Sequence, residues 1–533
     1  MSRSARPGGS GPGRIPPLFL AALAALVLGT FLDAGIYWDE PTWAAYGTAV
    51  TGFFRTWGSD DSAIRYSNWH LYGGLYDCFL DLMRRLSPLA EVDTRHLING
   101  LVGVAGVWTA MALAGPLAGG FAGLAGGILL AIHPAWWGQM FTNPKDIPFA
   151  VAHAGALAVA LAVMRSKKAP SYRLMALAGL CAGLAMAVRT GGVILLGYLA
   201  LALLARKWIN PKERVIWRKG LASFTVALVV AWLVMLACWP YALLNPLLGP
   251  VKSFLAFNRF ELGLNILFNG SLVPVNALSR FYLSTYLFRC SPEPWLVLAL
   301  AGVLISLASL ARAKKREERE FAAGSALLVL AALFPVIYIA ITRAPVYTGM
   351  RHILFILPVL SALGGVALVR VWESALSWNK PARWGLMGAL AVWLVFHLAQ
   401  MGVLHPYEYL YFNPVSGGLR GAVGKFELDD SSHTLREAAD RLVGIVKMEE
   451  GASFGKKVHG VFVCPSPFSA APEFPPSIRL VGSPDGADFA LYTAHSLCSF
   501  MRGWKVIDRV ERMGVPLAYV VDLRGKRLAR STR

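Results

Sequence analysis

Eleven long apolar runs, separated by charged or proline-rich breaks, dominate this 533-residue sequence. Each run approaches the roughly 20 residues that an α-helix needs to cross a bilayer. Hydrophobic residues make up 56% of the chain and charged residues 15%, whereas an average soluble domain has roughly 45–50% and about 25%. The runs cover approximately residues 15–32, 97–114, 117–133, 147–164, 173–188, 190–205, 221–243, 295–311, 322–342, 352–370 and 385–402. This pattern predicts an α-helical multi-span membrane protein with about 11 transmembrane helices, and it argues against a soluble enzyme.

Two of these runs are less certain than the others. The third and fifth runs are short, and the weak break at Gly115 and Pro116 fits either a tight hairpin or a re-entrant pair. The first run has no small-residue cleavage site before Asp33, so we interpret it as a retained span rather than a signal peptide.

The distribution of charge predicts the orientation of the chain. The net charge is +20, and the segments 1–14, 165–173, 206–219, 312–320 and 370–384 contain 21 basic and five acidic residues. Cytoplasmic loops are enriched in Lys and Arg, so we place these segments and the N-terminus in the cytoplasm. This topology accounts for the charge without a nucleic-acid partner, and it fits the inner membrane of a bacterium.

An odd number of spans places the C-terminus outside the cytoplasm, with the polar loops 33–96, 134–146 and 244–294. We predict a transmembrane domain over residues 1–412 and a small extracytoplasmic α+β domain over 413–533. In the latter, short apolar runs at 458–463, 489–492 and 516–521 predict strands, and residues 434–447 predict a helix. Cys464 and Cys498 lie there, where one disulfide and two free thiols both fit the sequence.

Two adjacent carboxylates follow the first span, in the sequence YWDEPTWAAY. Pro41 suits the first turn of a helix, so Asp39 and Glu40 lie at its start, where capping is the simplest role. Carboxylates at a membrane surface are costly, however, unless they meet a cation, a metal or a substrate hydroxyl. Asp39 and Glu40 are therefore candidate catalytic residues.

A second acid occupies the corresponding position in the next outer loop. Asp146 precedes Pro148 and opens the fourth span, and Lys145 beside it supplies a cation. Capping explains Asp146 alone, but it explains less well why two outer loops pair an acid with helix-starting prolines and aromatic residues. Two acids at one membrane depth can serve as a general base and its orienting partner, so Asp146 is the third catalytic candidate.

Cationic side chains collect at the same predicted face. Each is also compatible with a side chain that extends from the end of a span to the membrane interface. Together they suit a phosphate or diphosphate, which guanidinium groups bind in a bidentate manner. The candidates for binding a lipid phosphate are Lys145, Arg189, Arg343, Arg351 and His352.

His70 is an isolated histidine in the first outer loop. Such a residue is more often a hydrogen-bonded structural group than a ligand. If it meets Asp39 and Glu40 in space, the three would form a divalent-metal site.

These motifs, in this order, resemble the polytopic GT-C glycosyltransferases, in particular the family 39 type that includes protein O-mannosyltransferases and lipid A aminoarabinose transferases. The resemblance covers the membrane half and the start of the tail. It rests on WDE at 38–40, TNPKDIPFA at 142–150, AVRTGG at 187–192, MRHILFILP at 350–358, HPYEYLYFNP at 405–414 and KFELD at 425–429.

The resemblance implies a hexosyl- or pentosyltransferase that uses a polyprenyl-phosphate sugar on the extracytoplasmic face of the membrane. It maps the catalytic or substrate-positioning acid of the first loop onto Asp39 and that of the second onto Asp146. It maps the lipid-phosphate ligands onto Lys145, Arg189, Arg343 and Arg351. Some members hold a metal near the first loop, where His70 lies, and others need none, so the resemblance leaves the cofactor open.

The chain also departs from its relatives, and one other class of function fits many helices. Where relatives commonly read FELDYWG, residues 426–432 read FELDDSS, so an aromatic pair is lost or moved. A multi-span transporter or lipid flippase is the main alternative to a transferase. It predicts charges near the middle of the spans and paired inverted repeats, whereas nearly all charges here lie at span ends.

Overall fold

The computed structural model describes residues 14–166, 168–211, 216–258 and 263–524. Within these ranges nine helices are long and apolar enough to cross a membrane, or ten if one bent pair counts as a single span. The multi-span helical prediction is confirmed, with nine or ten spans in place of eleven. Parts of the predicted cytoplasmic segments 1–14, 165–173 and 206–219 lie outside the described residues.

The two predicted spans that the structure does not have as single long helices are the two short runs, the third and the fifth. The third run is a pair of helices, Gly120–Ala131 and Pro134–Met140, bent by 67°. The fifth run forms the helix Tyr172–Met186, whose 15 residues are fewer than the roughly 20 of a typical spanning helix. The tight hairpin that the weak break suggested is confirmed, because the helices Glu91–Ala118 and Gly120–Ala131 pack against each other. Its turn lies at Gly119, which has a φ of 89°, and not at Gly115 and Pro116, which lie inside the first of these helices.

The helices form a bundle with short helical segments in the connecting loops. The bundle helices are Ile15–Thr30, Glu91–Ala118, Gly120–Ala131, Pro134–Met140, Asp146–Arg165, Tyr172–Met186, Ile194–Ile209, Ile216–Ala237, Glu293–Arg312, Arg316–Thr342, Leu357–Ala375 and Lys380–Leu404. The loop and tail helices are Glu40–Arg55, Ser62–Arg65, Leu75–Leu86, Pro240–Leu244, Gly249–Asn258, Tyr282–Arg289, Gly418–Ala422 and Thr434–Glu450.

The basic loops that the sequence assigns to the cytoplasm contact one another. The Arg206 guanidinium donates to the carbonyl oxygens of Val163 and Ser166 at 2.8 Å and of Lys168 at 2.9 Å. Arg319 donates to the Trp208 carbonyl oxygen at 3.1 Å. These hydrogen bonds join three of the predicted cytoplasmic segments at one end of the bundle.

A two-stranded hairpin lies in the third outer loop and was not predicted from the sequence. Strands β1 (Asn265–Phe268) and β2 (Ser271–Pro274) are antiparallel, and Asn269 and Gly270 form the turn between them. Both turn residues have positive φ, 51° and 86°, which is the conformation that Asn-Gly favours in tight hairpins. The dipeptide was therefore the available signal for this hairpin.

The tail contains a five-stranded mixed sheet, and the predicted helix and strands there are confirmed. Its strands are β3 (His459–Cys464), β4 (Ile478–Leu480), β5 (Phe489–Thr493), β6 (Val506–Arg512) and β7 (Val515–Asp522), in the order β4-β3-β5-β7-β6. Strand β3 is parallel to β4 and β5, and the other pairs are antiparallel. The helix Thr434–Glu450 packs against β5, β6 and β7. Cys464 and Cys498 form a disulfide, which resolves the alternative that the sequence left open.

The tail packs directly on the first two outer loops. The Trp38 backbone N–H donates to the Ser431 carbonyl oxygen at 3.2 Å, and His433 Nε2 lies 2.9 Å from the Thr142 hydroxyl. A Cβ at Gly35 would lie 2.2 Å from the His433 carbonyl oxygen, so only glycine permits this approach. The tail thus covers the loops that carry the candidate acids.

Candidate active site

Three of the predicted residues form one buried ion-pair cluster. Asp146 is the first residue of its helix, and its Oδ1 lies 2.5 Å from Arg189 Nη2. Its Oδ2 accepts hydrogen bonds from Arg351 Nε and from Asn143 Nδ2, both at 2.9 Å. Three donors therefore occupy the Asp146 carboxylate, which in turn fixes both guanidinium groups.

Asp39 lies beside this cluster but is held much less firmly. Its Oδ2 is 3.8 Å from Arg351 Nη1, and its side chain is 30% exposed, compared with 6% for Asp146. Partial burial raises the pKa of the Asp39 carboxyl above its usual range, and the nearby Arg351 opposes that effect. No described residue donates a hydrogen bond to the Asp39 carboxylate, which therefore retains acceptor positions for a substrate proton.

Glu40 points away from Asp39 and belongs to a separate buried pair. It accepts a hydrogen bond from the Tyr37 backbone N–H at 2.9 Å, and His96 Nε2 lies 3.1 Å from both of its oxygens. The carboxylate is almost fully buried. Glu40 therefore stabilises the start of the helix Glu40–Arg55, and the structure does not bring it to the cluster around Asp146.

Lys145 likewise points away from Asp146. Its Nζ forms a buried ion pair with Asp77 and lies 5.4 Å from the ring centroids of Tyr46 and Tyr72. Burial lowers the pKa of the Lys145 ammonium, and the Asp77 carboxylate opposes that effect. The predicted contact of Lys145 with a lipid phosphate does not match this position, because Asp77 already pairs with the ammonium behind the tyrosine rings.

The guanidinium of Arg351 lies among aromatic rings. It donates to the Tyr37 hydroxyl, and its Cζ is 5.3 Å from the centroid of the Tyr37 ring and 5.9 Å from that of Tyr347. His352 also contacts Tyr347, with ring centroids 5.0 Å apart. These contacts confine Arg351 to a single orientation towards Asp146 and Asp39.

Arg343 does not join the cluster. It follows the helix Arg316–Thr342 in the left-handed conformation, with a φ of 55°, and its side chain is exposed. It lines a small cleft with Arg280, and the segment Ile339–Val346 separates that cleft from the site. The sequence placed Arg343 correctly at a span end, but span ends alone do not reveal which side chains converge.

A large apolar cavity opens beside the cluster. It has a volume of about 410 Å³, and most of its lining is aliphatic or aromatic. At one end it is lined by polar side chains, Tyr72, Asp146, Arg189, Tyr347 and His352. The cavity therefore combines an apolar chamber with a polar end that contains a guanidinium group.

His70 does not meet Asp39 and Glu40. Its ring contacts Tyr241, with centroids 4.9 Å apart, and its Nδ1 is close to the Ser67 carbonyl oxygen. In the ranges that the structure describes, no group of three or more His, Cys, Asp or Glu side chains converges as metal ligands would. Asp39 and Asp146 both face the guanidinium of Arg351, and carboxylates that face a fixed cation do not fit a divalent metal ion.

Sequence reasoning missed the residues that complete these pairs. Asp77 and His96 carry no local signal, because their partners Lys145 and Glu40 are 68 and 56 positions away. Tyr72 and Tyr347, which line the polar end of the cavity, are also distant from each other in sequence. The clustering of aromatic residues in 66–76 was the one available hint at Tyr72.

Two solved structures are similar to this chain over nearly its whole length. ArnT from Cupriavidus metallidurans bound to undecaprenyl phosphate matches with a TM-score of 0.53 and 16% identity, over 95% of this chain and 98% of that one. The same protein in the apo state matches with a TM-score of 0.51 and 17% identity, over 95% and 97%. The likeness shows that the fold is GT-C-like, as the sequence motifs implied.

A third structure matches less well. The oligosaccharyltransferase of Archaeoglobus fulgidus in the apo form gives a TM-score of 0.45 and 12% identity, over 90% of this chain and 65% of that one. No protein-family model matches the sequence, and no curated protein matches it.

Proposed function

We propose that this GT-C-like membrane protein is a glycosyltransferase that moves a sugar from a polyprenyl-phosphate donor to an acceptor on the extracytoplasmic face. One observation carries the proposal: an apolar cavity of about 410 Å³ ends at Asp146 and Arg189, beside Asp39. An isoprenoid chain suits the apolar part, and a phosphate suits the guanidinium end. The fold likeness to a protein bound to undecaprenyl phosphate supports this donor class.

Arg189 is the proposed first contact of the donor phosphate. It lines the cavity and its side chain is 20% exposed, whereas that of Arg351 is 4% exposed. A sugar phosphodiester has a single negative charge, which one guanidinium group can pair while the other still pairs with Asp146. Asp146 thus serves as a positioning residue that holds Arg189 at the end of the cavity and Arg351 beside it.

Asp39 is the proposed general base. An acceptor hydroxyl attacks the anomeric carbon of the sugar, and its proton passes to the Asp39 carboxylate. A new bond forms between the acceptor oxygen and the anomeric carbon, and the bond from that carbon to the phosphate oxygen breaks. The electron pair stays on the polyprenyl phosphate, whose added negative charge is stabilised by Arg189 and Arg351.

The orientation of the chain is part of the proposal. The basic loops at one end of the bundle favour the cytoplasm, and this places the N-terminus inside. The disulfide between Cys464 and Cys498 suits an oxidising compartment for the tail. Both features support catalysis on the extracytoplasmic side of a bacterial inner membrane, with residues 413–533 outside.

Binding of undecaprenyl phosphate to the purified full-length protein tests the donor site. Native mass spectrometry counts the retained lipid in the wild type, in Arg189→Ala and in a control, Arg173→Ala, whose side chain is exposed among the predicted cytoplasmic loops. We expect one lipid on the wild type and the control, and at least tenfold weaker retention by Arg189→Ala, because a charged hydrogen bond is worth about 1.5–3 kcal/mol. Equal retention by all three proteins would contradict the proposed site.

A further inference from the structure

A separate cleft, much smaller than the apolar cavity, lies between the first outer loop, the hairpin β1–β2 and the tail. Its volume is about 30 Å³, roughly twice the space that one water molecule needs. Its lining includes Trp38, Thr348, Glu427, Asp430 and His495. The roles proposed above use none of these side chains.

The cleft adjoins the proposed reaction centre. Tyr347 lines both the cleft and the large apolar cavity, so one side chain separates the two spaces. Trp38 immediately precedes Asp39, and its backbone N–H holds the tail at Ser431. A molecule in the cleft would therefore lie beside Trp38, the residue before Asp39, with Tyr347 between it and the lipid cavity.

His495 presents an unused hydrogen-bond donor in this cleft. Its Nδ1 accepts from the Leu497 backbone N–H at 3.0 Å, which places the imidazole proton on Nε2. Nε2 is 4.0 Å from Glu427 Oε2, too far for a hydrogen bond, and it has no other partner among the described residues. The residue is 7% exposed, and burial lowers its pKa while the nearby Glu427 carboxylate opposes that effect.

Acceptor atoms lie on the same cleft. Glu427 accepts from the Leu267 and Ser496 backbone N–H groups at 3.0 and 3.2 Å and from the Ser496 hydroxyl at 2.5 Å, which fixes its position. Asp430 accepts only from the Ser431 hydroxyl, at 3.0 Å, among the described residues, and burial raises its pKa to about 7. A neutral donor facing carboxyl acceptors matches a hydroxyl group, which both donates and accepts.

We propose that this cleft is an acceptor subsite, which binds a hydroxyl-bearing arm of an uncharged carbohydrate. The inference rests on the proposed transferase function and specifies its acceptor class. The volume admits an arm rather than a whole sugar ring, and Trp38, which lines the cleft and is half-buried, is an aromatic side chain on which the apolar side of that ring can pack. No Lys or Arg is among the described lining residues, so the carboxyl groups disfavour a phosphorylated acceptor.

Saturation-transfer-difference NMR on the full-length protein in detergent tests this subsite. The probes are methyl hexopyranosides, glucose 6-phosphate and a short peptide rich in Ser and Thr. The proteins are the wild type, His495→Ala, Trp38→Leu and a control, Asp485→Asn, which changes an exposed acid in a tail turn. Retention of undecaprenyl phosphate by the same samples reports separately on the donor site.

We expect at least one methyl glycoside to gain signal from the wild type and the control, and to lose most of it with His495→Ala and Trp38→Leu. Retention of undecaprenyl phosphate should be the same in all four proteins, which also verifies that the variants fold. No glycoside signal from the wild type, equal signals from all four proteins, or a stronger signal from the phosphate or the peptide would overturn the subsite. If the wild type does not retain undecaprenyl phosphate, the proposed donor site is wrong, whatever the glycoside signals are.

Discussion

The first and second outer loops use the same arrangement at a helix start, but their acids have different surroundings. In each loop two adjacent charged residues point in opposite directions: Asp39 and Asp146 face the guanidinium of Arg351, whereas Glu40 and Lys145 form buried pairs elsewhere. Asp146 is bound by two guanidinium groups, and Asp39 has one at 3.8 Å. Equal sequence patterns therefore give one acid that is committed to structure and one that is free to accept a proton.

The largest expected effect is on Asp39. The substitution Asp39→Asn removes the proposed proton acceptor, and we expect kcat of sugar transfer to fall by about 10²–10⁴-fold. Because this carboxyl is partly exposed and only loosely paired, thermal stability should change little. Steady-state kinetics of the reconstituted enzyme measure the first effect, and an Asp39→Asn enzyme with near-normal kcat would remove Asp39 from catalysis.

Asp146 should behave in the opposite way. Asp146→Asn leaves Arg189 and Arg351 buried without their anion, and breaking such a pair costs about 3–5 kcal/mol of folding free energy. Thermal unfolding of the purified protein should therefore show a clear loss of stability for Asp146→Asn and almost none for Asp39→Asn. If the two variants unfold alike, the distinction between the loops is wrong.

Two roles of Lys145 can be distinguished by substitution: a structural ion pair with Asp77, and binding of the lipid phosphate. Lys145→Met leaves Asp77 unpaired and should cost about 3–5 kcal/mol, and Asp77→Leu in the same chain should restore much of that loss. The double variant should retain undecaprenyl phosphate as well as the wild type does. A stable double variant that fails to retain the lipid would show that Lys145 binds the donor phosphate after all.

The pH dependence of transfer distinguishes Asp39 from Asp146 without altering the fold. Burial raises the pKa of Asp39 above its ordinary value of 3.8, so the fraction of ionised base and the rate should rise with pH through that elevated pKa. The folded state binds this proton more tightly than the unfolded state, so the contribution of Asp39 to stability falls over the same pH interval. The pH–rate profile of Asp39→Asn should lack this acid limb, and its persistence would assign the limb to another group.

The smallest effect is expected at Arg343. Its side chain is exposed and lines a different cleft, so Arg343→Ala should change the retention of undecaprenyl phosphate by less than about twofold. Native mass spectrometry under the conditions used for Arg189→Ala measures this. A loss as large as that of Arg189→Ala would place the lipid phosphate on the other side of the segment 339–346.

Local patterns in the sequence predicted most of the fold and part of the site. Hydropathy located the spans, and helix-starting prolines placed Asp39 and Asp146 at helix starts, since both signals lie within a few residues. The partners of Glu40, Lys145 and Asp146 are His96, Asp77 and the two arginines, and contacts of this kind depend on tertiary packing. The cleft lined by Trp38 and His495 joins residues that are 457 positions apart in sequence, so no local pattern indicated it.

The most direct test of the central claim is mass spectrometry of membrane lipids from cells that lack this protein. If this protein transfers a sugar from a polyprenyl-phosphate donor with Asp39 as its general base, the deletion strain accumulates that donor. Expression of the wild-type gene in that strain then removes the excess. The Asp39→Asn gene, expressed at the same level, leaves the excess in place. An unchanged polyprenyl-phosphate sugar pool in the deletion strain, or its full clearance by Asp39→Asn, would contradict the account.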